Sequence, residues 1–155
     1  MASSDRPSGL TALAVINFMF GILQLLGAIG LIASKLFVQS YLANEGASVS
    51  PQERAEMQLV ADTSWLDVGL VAGLSFAIAL CLIVSGIGYL KQKRILGRWV
   101  GNAYAFGALA SVVVSLTILP EVLSQGFSIA VIRSLIYPLF TLGLLNRTFR
   151  RDLAR

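Results

Sequence analysis

From Pro7 to Ser34, from Val68 to Leu90 and from Trp99 to Pro120 the chain carries no charged side chain. A helix crossing the roughly 30 Å hydrocarbon core of a bilayer needs about 20 consecutive, mostly apolar residues, and these runs supply them. Composition argues against a water-soluble globule. Only 13% of the residues are charged and 56% are hydrophobic, whereas a soluble domain carries about 25% charged residues. The mean hydropathy of +0.78 points the same way.

The pattern predicts an all-α, four-helix transmembrane bundle, a single membrane domain over 1-155. The predicted spans are 10-34, 66-90, 97-119 and 129-145, the last being the shortest and containing Arg133. The first run is much longer than the 7–15-residue core of a signal peptide and is followed by Lys35, so it reads as an uncleaved anchor.

Orientation follows from the bias of lysine and arginine toward cytoplasmic loops. The loop between spans two and three holds Lys91, Lys93, Arg94 and Arg98 without an acid. The 146-155 tail holds Arg147, Arg150, Arg151 and Arg155 against Asp152. The 35-65 loop is acidic, with Glu45, Glu53, Glu56 and Asp62 against Lys35 and Arg54. Both termini are therefore expected in the cytoplasm, with the acidic loop outside. Trp65, Tyr89 and Trp99 stand near span ends, where aromatic rings favour the headgroup level.

In the outer loop, the first helix is expected to continue through Leu36, Phe37, Tyr41 and Leu42 until Asn44-Glu45-Gly46 breaks it. Ser50-Pro51-Gln52-Glu53 then reads as a capping box with proline in the first turn, opening a short helix to about Asp62.

Membrane helices associate through close approach of small residues and through polar contacts. Gly69, Gly73, Ala77, Cys81 and Ser85 recur every four residues in span two, and Gly97, Gly101 and Ala105 do so in span three. These are the expected helix-packing residues, although the same rows could face another protein. Asn17 and Gln24 share a face of span one and, with Tyr137, are candidates for lining a polar cavity. Asp67, Glu121 and Arg133 are candidates for an ion pair at the outer surface. Pro138 removes a backbone donor inside span four and should bend it.

The sequence holds one cysteine and no histidine, so a zinc site is not expected. Phosphate-loop, hydrolase, zinc-protease and dinucleotide signatures are absent. No catalytic residue, cofactor or metal is expected, and the basic clusters beside apolar runs do not form a nucleic-acid stripe. In length and span count the chain resembles the small multidrug exporters, but its first span has no glutamate to couple protons.

Another resemblance rests on Ser85-Gly86-Ile87-Gly88-Tyr89-Leu90, the basic turn Lys91 to Arg94, Gly97-Arg98-Trp99, Tyr137-Pro138 and Leu144-Leu145-Asn146-Arg147. Over its C-terminal half the chain is similar to small uncharacterised bacterial four-span membrane proteins. That likeness implies a multi-pass protein of a bacterial inner membrane. Three roles fit these readings: a non-enzymatic accessory or structural subunit of a membrane complex, a small-solute transporter or channel acting as an oligomer, and a lipid-interacting membrane-organising protein. The expected partners are the bilayer and either another membrane protein or further copies of the chain.

Overall fold

The computed structural model describes residues 8–44, 50–119 and 129–148, with side chains throughout except at 129–134. Every regular element among them is helical. Helix α1 spans Ser8–Asn44, α2 Pro51–Asp62, α3 Trp65–Leu90, α4 Val100–Ile118 and α5 Ile129–Gly143. A wide π-type turn, Ile95–Trp99, leads directly into α4, and another, Leu144–Thr148, follows α5.

Three of these helices are long and apolar enough to cross a membrane: Ser8–Asn44, Trp65–Leu90 and the continuous run Ile95–Ile118. With its 15 residues α5 is shorter than the roughly 20 a crossing uses. At 1.5 Å per residue, the 37 residues of α1 extend about 55 Å, well beyond the hydrocarbon core. The C-terminal end of α1 through Asn44 is helical, as the run of apolar residues past Lys35 predicts.

Helices α1 and α3 form the largest contact of the fold, and it has a seven-residue period. Ala14, Gly21, Ala28 and Lys35 are buried on α1, with Leu10 and Asn17 on the alternate row. On α3 the buried rows are Ala72, Ala79 and Gly86; Val71, Ile78 and Ser85; and Val68, Leu82 and Tyr89. A strict seven-residue repeat is the pattern of knobs-into-holes packing. Small residues at its centre bring the backbones close. A Cβ on Gly21 would lie 2.9 Å from Ile83 Cγ1 and 3.3 Å from the Ala79 carbonyl oxygen.

The α3–α4 connection is a Schellman turn. The Lys93 amide donates to the Gly88 carbonyl (3.0 Å) and the Gln92 amide to the Tyr89 carbonyl (3.3 Å). Gln92 has φ 52°, a left-handed conformation that usually takes glycine. The turn folds α4 back so tightly that a Cβ on Gly88 would collide with the Gly97 amide nitrogen and the Leu96 carbonyl carbon.

Two apolar clusters hold the basic half of the bundle. Leu10, Leu13, Ala14, Tyr89 and Leu145 form one. Ile78, Leu82, Tyr104, Ala105 and Ala108 form the other, with Phe20, Cys81, Tyr137 and Leu142 packed against it. Tyr89, expected near the headgroup level at the end of its span, is wholly buried in the first cluster. It continues the Val68–Leu82 row of the α1–α3 seam, and Gly101 leaves room for its hydroxyl.

Candidate functional site

Between the two clusters lies a polar junction of three helices. Asn17 on α1 is fully buried. Its Nδ2 donates to Ser85 Oγ on α3 at 2.6 Å, and Ser85 Oγ donates to the Leu82 carbonyl at 3.0 Å. From α5, the Tyr137 hydroxyl donates to Asn17 Oδ1. The Tyr137 ring packs 4.5 Å from Phe20 and 6.0 Å from Tyr104, centroid to centroid. In an apolar interior such bonds satisfy groups that water cannot reach. Tyr89 Oη and Thr141 Oγ1 are buried here without a hydrogen-bond partner among the described residues, leaving two hydroxyls that could each take one more bond. Of the predicted cavity residues, the fold joins Asn17 and Tyr137. Gln24 is half-buried one heptad further along α1 and bonds none of the described residues.

The expected small-residue rows divide. Ser85, Gly97, Gly101 and Ala105 are buried, and Cys81 is half-buried. Gly69, Gly73 and Ala77 are exposed, and a Cβ on Gly69 or Gly73 would meet nothing within 4 Å. The Gly69–Ala77 half of this row therefore looks away from the bundle, one position off the seven-residue seam that packs against α1.

At the opposite end from the basic turn, Lys35 is only 1% exposed. Its Nζ donates to the carbonyls of Ala61 (2.8 Å), Val60 (3.4 Å) and Thr63, and lies 5.0 Å from the centre of the Trp65 ring. An ammonium at a helix C-terminus satisfies orphan carbonyls and opposes the helix dipole. Lys35 thus fastens the end of α2 to α1 and to the start of α3. At the other end of α2, Ser50 and Glu53 form the predicted capping box, with Pro51 in the first turn. The Ser50 hydroxyl and backbone amide both donate to the Glu53 carboxylate and hold its pKa below the ordinary carboxylate value.

Asp67 and Asp62 line an open cleft with Leu59, Thr63, Ser64, Ile118 and Leu119. Glu121 and the side chain of Arg133, which was expected to pair with Asp67 or Glu121, lie outside the described residues. No group of three or more metal-ligating side chains occurs among the described residues.

The basic end is built by two helix junctions. Lys91, Lys93, Arg94 and Arg147 are exposed and Arg98 is half-exposed; Arg150, Arg151 and Arg155 lie outside the described residues. Arg98 Nη2 donates to Asn146 Oδ1 at 3.3 Å, and the Asn146 and Asn102 amides bond each other, Asn146 Nδ2 to Asn102 Oδ1 at 3.2 Å. Sequence reading missed this asparagine pair and the Lys35 clamp. An asparagine within a few residues of the basic end of each of two apolar runs, and a lone lysine in a helical heptad row, were the available signals.

The fold defines a helical membrane protein, organised around a buried asparagine and capped by one polar helix. No protein family, curated protein or solved structure matches the chain.

Proposed function

We propose that the chain is a non-enzymatic, four-crossing protein of a bacterial inner membrane, with both termini cytoplasmic, acting as an accessory or structural subunit of a membrane protein complex. The observation that carries this reading is the exposed row Gly69, Gly73 and Ala77 on α3. Small residues with open space beside them let another helix approach to backbone contact, the main source of helix affinity in lipid. Segregation of the cations Lys91 to Arg98 and Arg147 from the acids Glu53 to Asp67 supports the orientation. The fourth crossing is α5 with its following turn. Asn17 spends its amide on protein partners, which weighs against a solute conduit at that level.

The test is purification of tagged protein from native membranes in mild detergent, with mass spectrometry of what accompanies it. A stoichiometric membrane partner, lost on Gly73→Leu, is expected. Recovery of a lone monomer from both forms would overturn the subunit reading.

A further inference from the structure

The basic end of the α4–α5 pair joins two surfaces that belong to different solvents. Arg94, Arg98 and Asn102 follow one another at four-residue steps, Asn146 in the turn after α5 bonds Arg98 and Asn102, and Arg147 is the exposed residue next to it. Of the five guanidinium N–H donors of Arg98, Asn146 engages one, which orients the group and leaves the others available. No acid occurs between Asp67 and Glu121 or between Arg133 and Arg147, so the cluster has no carboxylate of its own among the described residues.

Beside these groups and onward along α4 and α5 the surface is apolar. Ile95 and Trp99, in the turn itself, are 69% and 64% exposed, exposed Phe106 stands one turn beyond Asn102, and exposed Leu139 stands two turns before Asn146. Gly143 lies between them with open space at its Cα. A cationic, amide-bearing rim above an exposed aliphatic and aromatic wall matches a molecule with an anionic head and long apolar tails.

We propose that this end of the α4–α5 pair binds an anionic phospholipid, its phosphate held by Arg94, Arg98 and Arg147 and its acyl chains lying along Trp99, Phe106 and Leu139. Charge selects the class. A zwitterionic headgroup brings an ammonium that finds no acid among the described residues of this end, whereas phosphatidylglycerol brings only negative charge. The wall selects a lipid over a soluble anion, since free phosphate has nothing to bury against it. This inference concerns a different face from Gly69 and Gly73 and stands whether or not a protein partner exists.

The test uses full-length protein carrying Trp65→Phe, which leaves Trp99 as the only tryptophan. It is reconstituted into phosphatidylcholine vesicles containing either brominated phosphatidylglycerol or brominated phosphatidylcholine, and quenching of Trp99 is compared. Phosphatidylglycerol should quench preferentially, and Arg98→Gln should cut the preference about fivefold, the weight of one basic residue at a lipid surface. Arg94→Gln, which removes no side-chain bond within the described residues, should do likewise if Arg98→Gln perturbs the fold. Equal quenching by both lipids, or a preference that survives the double substitution, would overturn the proposal. Loss of the preference on adding inorganic phosphate at constant ionic strength would reassign the site to a soluble anion and would also overturn it.

Discussion

Asn17 and Ser85, 68 positions apart, are joined side chain to side chain at 2.6 Å inside the bundle. Tyr137 closes the same amide from a third helix. Interhelical hydrogen bonds in lipid contribute about 0.6 kcal/mol on average, because the separated helices also find partners. A double-mutant cycle of Asn17→Ala and Tyr137→Phe, read by unfolding in mixed micelles, should return a coupling of about that size. Strict additivity would mean that the two residues act independently.

Glycines that look alike in the sequence should behave very differently. Alanine at Gly88 drives a methyl group into the backbone of Leu96 and Gly97, which cannot move aside without opening the turn. Overpacking of this kind should cost about 3 kcal/mol or more. Alanine at Gly73 meets open space and should leave the melting temperature in detergent unchanged.

Gln92 occupies a left-handed position that disfavours any residue with a Cβ. Gln92→Gly should therefore stabilise the α3–α4 hairpin by about 1 kcal/mol. A lowered melting temperature would show that its side chain makes a compensating contact.

Lys35 anchors α2 through hydrogen bonds from a charged group, each kind contributing about 2 kcal/mol. Lys35→Met should free α2 while sparing the membrane helices. Limited proteolysis should then cut near Arg54 in the variant first, with unchanged total helicity before digestion. Equal cleavage rates would remove Lys35 from this role.

The Glu53 carboxylate is stabilised in its ionised form by Ser50, so its folded pKa lies below the ordinary 4.5. Its contribution to α2 is complete above that value and is lost as pH falls from about 4.5 through the lowered folded pKa. The protection factors of amides at the start of α2, taken against the slower intrinsic exchange at low pH, should fall over this window, and Glu53→Gln should abolish that fall. Identical pH profiles would assign the effect to another acid.

The apolar runs, the α2 capping box and the overshoot of α1 past Lys35 were legible because each depends on local chemistry: hydropathy, a four-residue hydrogen-bond motif and uninterrupted helix formers. The packing face was not. Four-residue spacing drew attention to Gly69 and Gly73, while the contact follows the seven-residue rows of Ala14–Gly21–Ala28 and Ala72–Ala79–Gly86. Both periods fit α3, and only the position of α1 decides between them. Tyr89 turned inward for the same reason, since its surroundings come from Leu10, Leu13 and Leu145 on other helices. Asn17 and Gln24 were indistinguishable in the sequence because the residues that meet Asn17 lie 68 and 120 positions away.

The junction at Asn17 also imposes an order on assembly during synthesis. Its amide nitrogen waits for α3, and its carbonyl oxygen waits longer, until Tyr137 has been made. Until then the leading helices carry an acceptor whose native donor does not yet exist, so the junction reaches its final form only when the last helix has docked.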